Sequence, residues 1–178
     1  SEMCIRDSFI AAPFGNYLKF NSLTNVIPVT GTWTLEYRSG FVGRLFRIMK
    51  TMRYDRKRKG WKNKLGLPNE GINKGLKVTR PNEVLSVAAI DSTDFEKLFE
   101  IVPKDQSLEV NLSCPNLDEK SPLSWKDAAL FNNSSNRKYC IAKISPTTTI
   151  EQLTFLVDEL GFKQIHCCNT LPINEGGF

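Results

Sequence analysis

Six short apolar runs recur along the chain, several of them separated by helix-like segments, and this order limits the architectures available. The runs are Phe9 to Ala12, Val26 to Val29, Val84 to Ile90, Leu108 to Asn111, Tyr139 to Ile144 and Gln164 to Cys168, and each reads as a strand. Ser92 or Asp91 can cap a helix carrying Phe95, Leu98 and Phe99, and Ser124 one carrying Trp125, Ala128, Ala129 and Leu130. A third helix follows Thr149, with an apolar stripe of Ile150, Leu153, Leu156, Val157 and Leu160 and a stop at Gly161. Repetition of strand, helix and strand favours an α/β fold with a parallel sheet, whose active groups gather at the C-terminal strand ends.

Polar and glycine-rich clusters stand at those ends. Pro13-Phe14-Gly15-Asn16 follows the first run, Thr30-Gly31-Thr32 the second, Asp91-Ser92 the third and Asn111 to Asn116 the fourth; Lys143 and Asn169-Thr170 close the last two. Six such ends converging on one mouth describe a partial (β/α)8 TIM barrel with about six of its eight strands present. Six strands also allow an open doubly wound sheet. The 178 residues fall short of the roughly 250 of a complete barrel, so a fragment is expected.

Composition narrows the setting. With 40% apolar residues the chain can bury the core of one domain. No apolar run approaches the roughly 18 residues of a membrane-spanning helix. Residues 1–8 lack the apolar stretch of a secretory signal; the octapeptide resembles translated sequencing-adapter read-through and is set aside as non-native, leaving 9–178 as the barrel domain. Five cysteines, an odd number without regular spacing, suggest a reduced cytoplasmic chain. A metal cluster is not expected: His166 is the single histidine, no CxxC occurs, and adjacent Cys167 and Cys168 would face opposite sides of a strand.

The net charge of +5 is concentrated in an insertion at about residues 41–64. Arg44, Arg47, Lys50 and Arg53 alternate with Phe46, Met49 and Met52 at helical spacing, then run into Arg56-Lys57-Arg58-Lys59. This reads as an amphipathic basic helix entering a basic turn, and as a solvated face rather than a nucleic-acid or membrane contact.

Asn111-Leu112-Ser113-Cys114-Pro115-Asn116 carries the most chemistry, because it sets a thiol between two amides directly after a strand. A thiol with an ordinary pKa of about 8.5 must be shifted or desolvated to act as a base near neutral pH. An amide offers both donor and acceptor, which suits a ring of alternating N–H and C=O groups. Cys140 and Cys167 read instead as buried structural cysteines.

Four segments in order, Asn63-Lys64-Leu65-Gly66-Leu67-Pro68-Asn69, Asn111 to Asn116, Ala142-Lys143-Ile144-Ser145-Pro146 and Asn169-Thr170, resemble dihydroorotate dehydrogenase, the flavin enzyme of pyrimidine synthesis. The similarity extends over most of residues 9 to 178. It implies FMN on the barrel mouth and oxidation of dihydroorotate to orotate, with Cys114 as the base that removes the C5 proton while hydride leaves C6. It further implies substrate contacts from Asn63, Gly66, Leu67, Asn111, Asn116, Asn169 and Thr170. Cofactor contacts are implied for Ala11, Ala12, Thr32, Asn111 and Lys143, the last a cation suited to stabilising the reduced, anionic flavin. Family members pass electrons to fumarate, to quinone, or to NAD through a partner subunit.

Two departures from the family pattern stand out. Cysteine-using members carry a further lysine after the second strand, where this chain has Gly31; serine-using members carry one after the first, where it has Asn16. Glu175-Gly176-Gly177-Phe178 resembles the start of the loop after the sixth strand, so the two strands and phosphate-cradling loops of the family are expected to be missing. Weak or absent FMN binding by these 178 residues alone, and strand edges prone to homo-oligomeric association, follow as expectations. A tRNA dihydrouridine synthase-like flavin reductase, which would give the basic segment an RNA contact, and a nonenzymatic basic binding protein on a degenerate barrel are the alternative readings.

Overall fold

The computed structural model describes residues 7–12, 14–18, 23, 25–38, 52–56, 60–63, 67–91, 93–113, 123–132 and 136–167. Six strands form one sheet: β1 (Ser8–Ile10), β2 (Val26–Trp33), β5 (Val84–Val87), β6 (Leu108–Asn111), β7 (Cys140–Lys143) and β8 (Gln164–His166), adjacent in that order and parallel throughout. The sheet alternates with helices and curls into an open half-barrel, as the strand and helix order predicts. Ser8 pairs with Val26, so β1 begins one residue before the boundary drawn at residue 9, and the Asp7 carboxylate accepts a hydrogen bond from the Tyr139 hydroxyl.

Strand periodicity sorts the side chains onto two faces. Leu85, Val87, Leu108, Val110 and Ala142 pack outward against Phe95, Leu98, Trp125, Phe131, Leu156 and Phe162 of the helical layer. Alternate positions face inward, where Ile27, Val29, Val84, Tyr139 and Ile141 form a smaller apolar cluster with Ala12 against it. All four residues of β5 and of β6 are buried, the pattern of a parallel sheet covered on both sides. Ser86, Glu109 and Asn111 are therefore enclosed without being apolar, and their partners define the site below.

Several local expectations change. Thr30-Gly31-Thr32 lies inside β2, which runs on to Trp33 with a register irregularity, rather than forming a loop after it. The stretch expected as a basic helix is, from Met52 onward, an antiparallel hairpin of β3 (Met52–Asp55) and β4 (Gly60–Asn63), with Tyr54 opposite Trp61; residues 39–51 lie outside the described residues. A helix not anticipated, α1 (Ile72–Val78), follows the hairpin. Its Gly75 sits against Trp33, where a Cβ would come within 2.7 Å of the indole, so the residue that weakens the helix locally is the one that lets it pack.

Helix α2 (Asp94–Ile101) starts after Thr93, which makes no side-chain cap; Asp94 reaches back instead, accepting from the Ile90 and Asp91 amides. The segment around Trp125 forms two short helices, α3 (Leu123–Lys126) and α4 (Ala129–Asn132), and Ser124 falls within the first rather than capping it. Thr149 does cap α5 (Ile150–Thr154): its hydroxyl accepts from the Gln152 amide at 3.3 Å while its own amide donates to the Gln152 side chain at 2.9 Å. Thr149→Ala is expected to cost about 1 kcal/mol in urea unfolding.

The helix then widens into a π turn, Phe155–Glu159. Along this helix Ile150 is 79% and Val157 43% exposed, while Leu156 and Leu160 are buried, so only part of the expected apolar stripe faces the core. Among the described residues no helix is long and apolar enough to cross a membrane.

Candidate functional site

Three inward side chains stand in register across the C-terminal strand ends: Asn111 on β6 is paired with Lys143 on β7, and Lys143 with His166 on β8. Beneath them lies Glu109, one inward position earlier on β6, with 1% of its side chain exposed. Glu109 Oε2 meets His166 Nδ1 at 2.6 Å; Oε1 accepts from Ser86 Oγ at 2.7 Å and lies 3.9 Å from Lys143 Nζ. A buried charge requires such partners. Burial pushes the Glu109 carboxyl up most strongly. The hydrogen bond from His166, the Lys143 charge and the Ser86 hydroxyl together outweigh it and hold the group below its ordinary 4.5.

An ionised Glu109 fixes the direction of a longer chain of hydrogen bonds. Ser86 spends its proton on Glu109, so at the 3.0 Å contact it accepts from Thr32 Oγ1. Thr32 in turn accepts from Asn111 Nδ2 at 3.2 Å. The Asn111 carbonyl takes the Ser113 hydroxyl at 2.6 Å and amide at 3.2 Å. What Asn111 retains for a ligand is the second N–H of its Nδ2. Lys143 also keeps donors, because 3.9 Å is an ionic rather than a hydrogen-bonding separation.

Of the residues implied by the resemblance, Thr32, Asn111 and Lys143 are therefore brought together on one face. Ala11 and Ala12 follow β1 at the same end of the sheet, and Ala12 touches the inner apolar cluster. Leu67 is half-buried and packs against the outer core, its carbonyl accepting from Asn69 Nδ2. Asn69 is wholly occupied in structure, bonding Thr34 at the end of β2 and the Gly71 amide ahead of α1. The backbone of Asn63 pairs with Met52 in the hairpin. Gly66, Cys114, Asn116, Asn169 and Thr170 lie outside the described residues.

The two positions at which family members carry a lysine are in contact. Asn16 Oδ1 accepts from the Gly31 amide at 2.8 Å and its Nδ2 donates to the Gly31 carbonyl at 3.4 Å, so one side chain clamps the other residue's backbone. Gly31 has φ 110°, a conformation L side chains rarely adopt, and a Cβ there would lie 2.6 Å from the Ser86 carbonyl oxygen.

Glu109, Ser86, His166 and Asn16 were not expected as site residues. A carboxylate set between the apolar Leu108 and Val110 is the available signal for Glu109. Cys140 is half-buried, and burial pushes its thiol up to about 11, as suits an inert structural cysteine; Cys167, expected to be buried, is exposed just beyond β8. A cavity of about 360 Å³ opens at the opposite, N-terminal ends of the strands, beside Val26, Ile27, Glu83, Ser107 and Tyr139. Ligands of parallel sheets bind at the other end, where the polar row lies.

No protein-family model matches this chain, and no curated protein matches it either. The half-barrel is consistent with a catalytic barrel enzyme in general.

Proposed function

We propose that the concave face carries FMN and that the protein oxidises dihydroorotate to orotate. The observation that carries this reading is the convergence of Thr32, Asn111 and Lys143, drawn from three strands, on the inner face at the C-terminal strand ends. Four ordered sequence segments supply the family resemblance, and two of them, around Asn111 and Lys143, form adjacent paired strands. The residues fit a flavin in their chemistry: a buried ammonium with donors to spare, a free amide N–H beside it and small residues at Ala11 and Ala12.

Held by Thr32, Asn111 and Lys143, a bound flavin would supply the acceptor for the hydride of C6. Lys143 Nζ supplies a fixed positive charge for the negative charge that reduction creates, in a site where burial strengthens it. Asn111 Nδ2 donates to a ring acceptor, held in place by its own carbonyl bonds to Ser113. Cys114 Sγ takes the C5 proton. FMN titration of the complete gene product tests the cofactor assignment. Lys143→Ala is expected to weaken binding about tenfold or more, the worth of one hydrogen bond to a charged group. Unchanged FMN affinity in that variant would remove Lys143 from the site.

A further inference from the structure

We propose that Glu109 and His166 form a carboxylate–imidazole dyad that presents His166 Nε2 as a proton acceptor at the mouth of the half-barrel, for the acidic N–H of a cyclic imide. The dyad follows from position. Glu109 is sealed in the sheet and ionised, and its Oε2 lies 2.6 Å from Nδ1, so the proton between them belongs to the ring. A neutral imidazole protonated at Nδ1 carries its lone pair at Nε2. His166 ends β8 and its side chain is 28% exposed, above a carboxylate that solvent does not reach. The same logic orients the base of a hydrolase triad, where a buried carboxylate selects the tautomer and steadies the cation. Glu109 is thus a positioning residue for His166.

The ligand class follows from the row of side chains. Asn111, Lys143 and His166 are successive register partners on β6, β7 and β8. Asn111 and Lys143 offer donors, which match carbonyl oxygens; His166 offers an acceptor, which matches an N–H. His166 stands at the end of the row, so the complementary edge is an N–H with a carbonyl on the Lys143 side. An N–H of that kind acidic enough to give its proton to an imidazole is that of an imide, as found in pyrimidine and flavin rings. If the proton is transferred, the N–H bond of the imide breaks with its electron pair left on the imide, and an Nε2–H bond forms. Among the described residues the charged groups beside the ring are Glu109, in contact at Nδ1, and Lys143, 3.9 Å from the other carboxylate oxygen, so an imidazolium would form in direct contact with a carboxylate that it shares with Lys143.

His166 is the only histidine, so its ring nitrogens give unambiguous ¹⁵N signals in the chain as it stands. With the imidazole neutral, wild type is expected to show Nδ1 protonated and Nε2 bare, and Glu109→Gln is expected to lose that preference. Nε2 protonated in wild type, or the same tautomer in both proteins, would overturn the dyad; the wild-type spectrum alone decides if the variant does not fold. Succinimide is expected to shift the Nε2 signal and N-methylsuccinimide to leave it in place. A signal that responds to both alike, or to neither, would overturn the imide assignment. Neither measurement requires flavin or dihydroorotate, so this inference and the flavoenzyme reading can fail separately.

Discussion

Glu109→Ala is expected to destabilise the protein by about 3–5 kcal/mol in urea unfolding, the usual cost of removing one partner from a buried ionic cluster. The substitution strands Lys143, only 7% exposed, without its carboxylate, and leaves Ser86 and His166 without their acceptor. Glu109→Gln keeps an acceptor for Ser86 and should cost less. The sign of the pH dependence follows from the lowered folded-state value of Glu109. Its stabilising contribution is complete above the unfolded-state value, near the ordinary 4.5, and is lost as pH falls through the lower folded value. The stability gap between wild type and Glu109→Gln should therefore narrow as the solution is made acidic. A gap that widens in acid would contradict the assignment of Glu109 as a buried anion.

Gly31 carries the second large effect. Gly31→Ala is expected to cost about 3 kcal/mol, because the backbone conformation disfavours any Cβ and the new atom meets the Ser86 carbonyl oxygen at 2.6 Å and the Trp33 amide nitrogen at 2.9 Å. Both nearest backbone atoms belong to the sheet and cannot yield as a flexible side chain would. Relief by moving Ser86 would loosen its bond to Glu109, so the damage reaches the site. Gly31→Lys should be at least as costly, because the longer side chain begins with the same Cβ. Thermal or urea unfolding within about 0.5 kcal/mol of wild type for Gly31→Ala would show that the backbone relaxes freely there.

The sheet was legible wherever an apolar run coincided with a strand buried on both faces. Leu108 to Asn111 was read with its observed limits, and the neighbouring runs differ from their strands mainly at the ends. Local rules failed where tertiary contact set the conformation. Gly75 argues against a helix until Trp33 is seen packed against it, and Thr30-Gly31-Thr32 has loop composition although it continues β2. The spacing of Phe46, Met49 and Met52 suggested a helix past residue 51, whereas Tyr54 and Trp61 mark the paired strands actually formed.

The site divides in the same way. Asn111 and Lys143 stand in ordered segments that resemble a known family, Thr32 is a position that the resemblance implies, and the fold brings the three to one face. Glu109 is not legible in the same way, because a single carboxylate in a strand has the pattern of a surface residue in sequence. Its burial, and its pairing with His166 some 57 residues later, are set by the curl of the sheet. Asn16 and Gly31 read as two separate departures from the family pattern, yet they form one contact.

Dihydroorotate oxidation by the complete gene product, purified with its flavin and followed as orotate appears, tests the central claim most directly. The account predicts turnover that falls by about 10²-fold or more in Cys114→Ala while bound flavin is retained, the loss expected for a missing general base. Turnover that survives Cys114→Ala, or a complete gene product that binds FMN yet leaves dihydroorotate untouched, would contradict it.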